Sequence, residues 1–214
     1  MLVPAVQKAI RQTFVYDFIK RLWWQKELRD WERRGKSGPP PHLLKVRTIK
    51  EYAHKFSPEI FIETGTYLGD MVEAVRDTFR RIISIEIDPW LAERARKRFS
   101  RYPHISILQG DSGQLLPNLL TKVTEPSLFW LDAHYSGGIT TKGDMETPIV
   151  QELYCILRHP AEHVVLIDDA RNFVGQNDYP TLEAVQSLVN EIRPGWTLEV
   201  KDDIIRIHRT SEKS

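Results

Sequence analysis

Three carboxylates follow two short apolar segments of the chain, each at the point where the segment ends. Asp132 comes directly after residues 128–131, and the pair Asp168 and Asp169 comes directly after residues 164–167. If both segments are neighbouring parallel strands, their acids meet at the carboxyl edge of one sheet. Carboxylates this close repel one another unless they are protonated or bridged by a cation, and carboxylate oxygens with water suit Mg2+. The pattern therefore predicts a divalent-metal site, with capping of the following segments as the alternative.

A histidine beside the first of these acids could handle a proton. His134 lies two residues after Asp132. A histidine titrates close to neutral pH, so this side chain could accept the proton of a substrate hydroxyl. The glycine-rich stretch 136–143 could close over a bound substrate and exclude water. Arg171, just after the acid pair, could bind an anionic group of a substrate or make a surface salt bridge.

A second stretch that suggests chemistry is EIFIETGTYLG at residues 59–69. It predicts a buried strand at 60–62, a tight glycine turn and a helix that begins near residue 70. Gly65 and Gly69 lack a Cβ atom, so the backbone there can approach a ligand closely, and Gly65 can adopt a positive φ. Glu63 places a carboxylate at the carboxyl end of the strand, where ligands of open α/β sheets bind. The spacing differs from the Gly-x-Gly-x-x-Gly of dinucleotide-binding folds, and a purely structural corner is the alternative.

Two further acids stand at predicted strand ends. Glu86 closes the second strand and could accept both hydroxyls of a ribose, because an ionised carboxylate offers several acceptor positions. Asp111, followed by Ser112, closes the third strand and could accept from an exocyclic amine such as that of adenine. Local roles are the alternatives: Asp88 fits a helix start better than Glu86 does, and Asp111 fits the N-cap of the next helix.

Strand and helix patterns alternate from residue 43 onward, which predicts a mainly parallel, doubly wound α/β sheet. The last two strands are joined by a short turn, so they must form an antiparallel hairpin. The predicted strands are 60–62, 81–87, 105–108, 128–131, 164–167, 196–200 and 204–208. The predicted helices are 47–55, one from 70, 89–100, 113–120, 146–158 and 179–191.

Composition places the chain among ordinary globular proteins. Its 214 residues are 41% hydrophobic and 28% charged, and the single cysteine, Cys155, cannot form an internal disulfide. No apolar run approaches the ~20 residues of a membrane span, and Lys8 and Arg11 interrupt any signal-peptide core. We therefore expect a cytoplasmic protein.

The charge is divided unevenly along the chain. Residues 1–50 carry 12 Lys and Arg against 4 acids, a net of +8, whereas the remainder carries 18 against 25, a net of −7. Within 3–34 an apolar residue recurs at every fourth position, with tryptophans nearby, and the proline-rich connector 35–41 follows. Such a basic amphipathic helix can lie on an anionic membrane surface, but we favour packing or homodimer formation. The acidic remainder argues against nucleic acid as a partner.

Four motifs occur in an order that resembles the class I S-adenosylmethionine-dependent methyltransferases. They are ETGTYLG at 63–69, SIEID at 84–88, GDS at 110–112 and LD at 131–132. The resemblance covers about residues 47–208. It implies a Rossmann-like, doubly wound seven-stranded sheet of order 3-2-1-4-5-7-6, with strand 7 antiparallel, behind an N-terminal helical extension. We accordingly expect residues 1–42 to be the extension and 43–214 the methyltransferase domain.

The resemblance also implies how the cofactor, S-adenosylmethionine, would bind. The turn after the first strand would contact its methionine part, Glu86 would hold the ribose, and Asp111 with Ser112 would flank the adenine. Asp132 would lie beside the cofactor at the end of the fourth strand. The residues expected to bind around the turn are Glu63, Thr64, Gly65, Thr66, Tyr67 and Gly69.

Within that class, Asp132, Asp168 and Asp169 resemble the metal ligands of O-methyltransferases of the catechol type and, more closely, of those that act on antibiotic sugars. The resemblance implies Mg2+ bound by these acids. The catechol type has a lysine three residues after the first acid, where this chain has Tyr135. The sugar type has an acidic base two residues after it, where this chain has His134. We therefore expect His134 and Asp132 to be the catalytic residues.

The function expected from the sequence is methyl transfer from S-adenosylmethionine to a hydroxyl of a small molecule, such as a sugar, with a divalent metal. Two other kinds of function stay open. One is metal-independent or N-directed methyl transfer, which the mass of the product would separate. The other is a non-catalytic module that binds S-adenosylmethionine and docks through its N-terminal helix, which would show cofactor binding without turnover.

Overall fold

The structure is a computed structural model that describes residues 14–132 and 147–210. The chain divides into two compact units, with the division between Thr48 and Ile49. The first unit contains helix α1 (Phe14–Arg33) and the beginning of α2 (His42–Phe56). The predicted helix at 3–34 is thus observed from Phe14 onward, and its earlier residues lie outside the described part.

The second unit is built on one seven-stranded sheet of order β3-β2-β1-β4-β5-β7-β6. Every neighbouring pair among the first five strands is parallel, whereas β7 runs antiparallel to both β5 and β6. This order and the reversed seventh strand confirm the predicted fold class. The strands are β1 (Ile60–Thr64), β2 (Arg81–Glu86), β3 (Ile105–Gln109), β4 (Ser127–Leu131), β5 (Val164–Ile167), β6 (Trp196–Lys201) and β7 (Ile204–Arg209).

Helices follow the parallel strands and cover the sheet. Within the described residues, no helix combines the length and the apolar character needed to cross a membrane. The remaining helices are α3 (Asp70–Val75), α4 (Pro89–Phe99), α5 (Ser112–Leu120), α6 (Ile149–Arg158) and α7 (Leu182–Ile192).

Three predicted helix starts differ from the observed ones. Helix α6 begins at Ile149 rather than at residue 146, because Pro148 occupies its N-cap position. Helix α2 begins at His42 rather than at residue 47, directly after the proline run that ends at Pro41. Helix α7 begins at Leu182 rather than at residue 179, because Thr181 supplies the cap: its hydroxyl accepts from the N–H of Ala184 at 3.2 Å.

The first strand shows how the sheet presents side chains to its two faces. All five residues of β1 are buried. Ile60 and Ile62 belong to the core that the sheet forms with α5, α6 and α7. Because successive side chains in a strand point to opposite faces, Thr64 also faces that helical layer, whereas Glu63 faces the opposite side of the sheet.

Candidate active site

The three acids predicted to bind a metal come together at the carboxyl ends of β4 and β5. One ligand oxygen from each of Asp132, Asp168 and Asp169 lies within 4.8 Å of the others. The N–H of Asp132 donates to the carbonyl of Thr64 at 3.1 Å, and the N–H of Asp168 donates to the carbonyl of Leu131 at 3.1 Å. Both hydrogen bonds extend the pairing of the sheet past the strand ends, so the acids are held on adjacent chains.

The loop after β5 holds Asp169 in an unusual backbone conformation. Its φ of 57° lies in the left-handed region, which costs a non-glycine residue about 1–3 kcal/mol and persists only where the surroundings fix it. The turn of the β6–β7 hairpin supplies that support. The carbonyl of Asp203 accepts from the N–H of Ala170 at 2.9 Å, and its Oδ1 accepts from the N–H of Arg171 at 2.8 Å.

Electrostatics at this cluster favours a cation. Asp168 and Asp169 are only 3% and 5% exposed, so water screens their charges poorly. The Arg171 guanidinium lies 2.8 Å from Asp169 Oδ1 but also binds the Asp203 carboxylate. Three carboxylate oxygens therefore converge where two of the acids are buried, and this all-oxygen donor set suits Mg2+.

The glycine turn after β1 is fixed to the neighbouring strand. The N–H groups of Gly65 and Thr66 both donate to the carbonyl of Ile85, at 2.9 and 3.3 Å. Gly65 has φ 90° and Gly69 has φ 77°, so both adopt the left-handed conformation that glycine permits. Tyr67 also has a positive φ, of 48°, and its side chain is exposed at the turn.

Glu63 lies beneath the turn rather than on its surface. It is 1% exposed, and the Ser84 hydroxyl donates to its Oε2 at 2.6 Å. Ser84 is in turn 2.6 Å from the Thr66 hydroxyl, which ties the turn to the strand. Burial is the main cause that raises the pKa of Glu63 to about 8; the hydrogen bond from Ser84 opposes it, and the charges of Asp132 and Glu86 act in the same direction as burial. Glu63 is therefore mostly protonated at neutral pH and acts in the structure as a support for the turn.

Glu86 is oriented at the tip of β2 by two backbone donors. Its Oε2 accepts from the N–H of Tyr67 at 2.7 Å, and its Oε1 accepts from the N–H of Asp88 at 3.0 Å. Burial raises the pKa of this carboxyl, and the backbone hydrogen bonds act in the opposite direction. Each carboxylate oxygen keeps a further acceptor position. Glu86 thus joins the glycine turn to the loop after β2 and can still accept from a ligand.

Asp111 caps the following helix, which is the alternative role that its sequence position indicated. Its Oδ1 accepts from the N–H of Gly113 at 2.8 Å and caps helix α5. Asp88 likewise caps α4, accepting from the N–H groups of Trp90 and Leu91 at 2.8 and 2.9 Å. Ser112 is buried as the first residue of α5. A carboxylate that caps a helix retains acceptor capacity, so capping and adenine binding are compatible at Asp111.

The predicted base lies outside the described residues, as do its neighbours. This applies to His134, to Tyr135 and to the glycine-rich stretch 136–143. The next described residue is Thr147, which is buried.

Two titratable side chains near the site were missed in the sequence. Burial is the main cause that raises the pKa of the Tyr179 hydroxyl to about 12, and the charges of Asp169 and Asp132 act in the same direction, so the negative charge of the acid cluster acts on this phenol. No sequence pattern indicated a role for Tyr179, because it stands alone before a proline in a connecting segment. Glu152 is buried within α6, where it is the one acid among the buried residues of that helix. An acid on an otherwise apolar helix face is a pattern that could have identified Glu152 from the sequence.

Comparison with known proteins identifies the fold. No family model matches the sequence, and a comparison with curated proteins finds no match either. Among solved structures, a methyltransferase of Podospora anserina bound to S-adenosylhomocysteine is 16% identical, with a TM-score of 0.57 and 99% of each chain covered. An O-methyltransferase of Streptomyces achromogenes involved in tomaymycin synthesis, in complex with S-adenosylmethionine, is 16% identical, with a TM-score of 0.58 and 87% of this chain and 89% of that chain covered.

A third structure is an O-methyltransferase of Bacillus cereus in complex with S-adenosylhomocysteine. It is 12% identical, with a TM-score of 0.57 and 96% of this chain and 97% of that chain covered. Together with the strand order, these likenesses show that the chain has the fold of the class I S-adenosylmethionine-dependent methyltransferases. The expected fold family is therefore confirmed.

The described residues fit both groups that this fold suggests. For a metal, three carboxylate oxygens converge, and two of the three acids are buried. For the cofactor, a turn with two left-handed glycines lies beside an oriented carboxylate at the next strand tip. Both arrangements stand at the carboxyl edge of the parallel strands, where open α/β sheets bind ligands.

Replacing Glu86 with alanine should weaken S-adenosylhomocysteine binding by about 1–3 kcal/mol, the scale of a lost polar contact to a charged group. Isothermal titration calorimetry measures the change, and Glu93→Ala, an exposed acid on α4, is the matched control. Unchanged affinity in Glu86→Ala would remove this carboxylate from the ribose role.

Proposed function

We propose that this protein transfers the methyl group of S-adenosylmethionine to a hydroxyl oxygen of a small molecule, such as a sugar, with a divalent metal at Asp132, Asp168 and Asp169. The observation that carries the proposal is the convergence of these acids at the ends of β4, which is paired with the strand that leads into the glycine turn, and of β5, the next strand along. A methyl donor over the turn and a substrate hydroxyl at the acids would therefore be neighbours.

The chain's residues have separable tasks in this reaction. The sulfonium of S-adenosylmethionine supplies an already activated methyl group, so the protein mainly has to position an oxygen in line with it. Glu86 accepts hydrogen bonds from the ribose, and the turn at 65–69 lets the backbone approach the methionine part. The three aspartates would hold Mg2+, and the chemistry that the ion would supply there is orientation of a substrate hydroxyl and a lower hydroxyl pKa. His134 takes the proton that the hydroxyl releases.

The structural neighbours support oxygen as the acceptor atom. The Streptomyces and Bacillus proteins are both described as O-methyltransferases. An all-oxygen donor set would also suit a substrate with a pair of hydroxyls, because Mg2+ prefers oxygen ligands.

A methyl-transfer screen tests the proposal. The protein is incubated with cofactor labelled in the methyl group and with sugars, nucleotide-sugars and catechols, each with Mg2+ or with EDTA. We expect label in a product whose mass rises by one methylene unit, only when Mg2+ is present. Transfer that persists in EDTA, or transfer to nitrogen, would replace the proposed reaction by the metal-independent or N-directed one. Cofactor binding without transfer to any acceptor would support the non-catalytic module.

The N-terminal helix carries a second part of the proposal, a contact with another copy of the chain. Ile19, Leu22 and Trp23 of α1 are 58%, 48% and 58% exposed, which leaves an apolar patch on a basic helix. The net charge of +8 within residues 1–50 complements the −7 of the remainder. Charge complementarity of this kind favours docking of the basic helix on the acidic part of a second copy.

The double substitution Ile19→Ser and Trp23→Ser should shift the protein from dimer to monomer in sedimentation velocity, because it removes exposed apolar area without touching a buried side chain. Val150→Ser, an exposed apolar residue on α6, is the control. A monomeric wild type that binds anionic vesicles and dissociates from them in salt would favour the membrane alternative instead.

A further inference from the structure

A buried carboxyl lies beside the cofactor-binding residues without being used by the proposed reaction. Glu152 of α6 is 1% exposed. Among the described residues, neither of its carboxyl oxygens has a hydrogen-bond partner, and the hydroxyl oxygen of Thr64 is buried without a partner too. Native proteins rarely leave such groups unsatisfied, so each exception calls for an explanation.

The surroundings of Glu152 identify the groups that it can reach. The hydroxyls of Ser112 and Thr64 lie close enough to lower its pKa, although the geometry falls short of a hydrogen bond. Burial acts more strongly, and with the charge of Asp111 it raises the pKa of Glu152 to about 7. Thr64 faces this layer because it shares a face of β1 with Ile60 and Ile62.

Thr64 and Ser112 stand at the two ends of the expected cofactor site. Thr64 directly precedes the glycine turn, and its carbonyl accepts from the N–H of Asp132. Ser112 opens α5 directly after Asp111. A hydroxyl donates one hydrogen bond, and a carboxyl oxygen can accept from two donors. One Glu152 side chain can therefore accept from both hydroxyls and join β1 to α5.

Stability does not account for a carboxyl at this position. Ile149, Leu153 and Ile156 of the same helix are buried around it. A buried acid without good hydrogen bonds costs free energy, and well-packed apolar replacements of buried polar groups are often neutral or stabilising. A leucine here would continue the apolar face of α6. A role in the expected cofactor site therefore explains Glu152 better than a role in core packing does.

We propose that Glu152 is a positioning residue for the cofactor: its carboxyl accepts hydrogen bonds from Thr64 and Ser112 and so sets the separation between the glycine turn and the start of α5. This inference rests on the proposed cofactor binding. Glu152 acts through its two neighbours and does not itself contact the cofactor. In the cofactor-bound protein, both hydroxyls donate to it.

The test compares S-adenosylhomocysteine affinity with thermal stability in matched variants. Glu152→Leu should fold with an unchanged or higher melting temperature and bind S-adenosylhomocysteine at least about tenfold more weakly. Glu152→Gln keeps an acceptor oxygen and should stay within about threefold of the wild type. Val150→Ala, on the exposed face of the same helix, should change neither quantity. Thr64→Val combined with Glu152→Leu should lose less affinity than the product of the two single losses.

The possible results separate this inference from the proposed function. A wild type that does not bind S-adenosylhomocysteine contradicts the proposed function, and the inference with it. A wild type that binds, together with a stable Glu152→Leu of equal affinity, overturns only the positioning role. If Glu152→Leu does not fold, the positioning role is tested with Glu152→Gln and Thr64→Val. The role then requires that Glu152→Gln retains S-adenosylhomocysteine affinity and that Thr64→Val loses it. Equal losses in Glu152→Gln and Thr64→Val would also overturn the role.

Discussion

Replacing Asp168 with asparagine should abolish both divalent-cation binding and methyl transfer, and should leave S-adenosylhomocysteine affinity within about threefold of the wild type. Asp168 is 3% exposed at the centre of the acid cluster, so its charge is poorly screened and strongly felt by a bound cation. Asparagine keeps the size of the side chain but removes a negative charge and one anionic oxygen. Cofactor binding survives because Glu86 and the glycine turn belong to other strand ends.

Binding of Mn2+, followed by electron paramagnetic resonance, measures the first effect without any acceptor, and the labelled-methyl assay measures the second. Asp77→Asn, an exposed aspartate, is the matched control and should behave as the wild type. EDTA should act as Asp168→Asn does. Full activity in EDTA would refute the metal requirement, and unchanged Mn2+ affinity in Asp168→Asn would place the cation elsewhere.

Replacing His134 with alanine should lower the rate of methyl transfer by about 10²–10⁴-fold, the usual contribution of a general base. Metal and cofactor affinities should not change, because neither depends on this imidazole. The expectation rests on the position of His134, two residues after Asp132 in the sequence. Tyr179 is a poor substitute as a base, since burial raises the pKa of its hydroxyl to about 12.

The assay compares single-turnover rates of His134→Ala, Tyr135→Phe and the wild type with the acceptor found in the screen. A bell-shaped or rising pH profile near neutrality in the wild type should be lost in His134→Ala. A loss smaller than about tenfold in His134→Ala would assign the base to another residue, with Tyr135 as the next to test.

The sequence was most informative where one short motif sets the backbone. The turn at Gly65 and Gly69 requires left-handed conformations, which glycine tolerates, so its location follows from the motif. The convergence of Asp132 with Asp168 and Asp169 follows from the rule that parallel strands end at one edge. The seven-stranded order came from the resemblance of the motif set, since alternation alone does not fix which strands are neighbours.

Residues that depend on tertiary packing could not be placed in the same way. The sequence predicts that Glu63 presents its carboxylate at the end of the first strand. Because side chains alternate along β1, Glu63 instead lies beneath the glycine turn, where it accepts a hydrogen bond from the Ser84 hydroxyl. Asp203 belongs to a hairpin distant in sequence, and only the pairing of β7 with β5 brings it to the loop of Asp169 and Arg171. Tyr179, whose pKa is raised in part by the charges of Asp169 and Asp132, lies in a connecting segment that has no periodic pattern.

The central claim is that this fold binds S-adenosylmethionine at the carboxyl edge of β1 and β2. Calorimetric titration of the full chain with S-adenosylhomocysteine, and in parallel with NAD, tests it most directly. We predict one-to-one binding of S-adenosylhomocysteine, a matching rise in melting temperature and clear weakening in Glu86→Ala. No binding of S-adenosylhomocysteine, or tighter binding of NAD, would contradict the account.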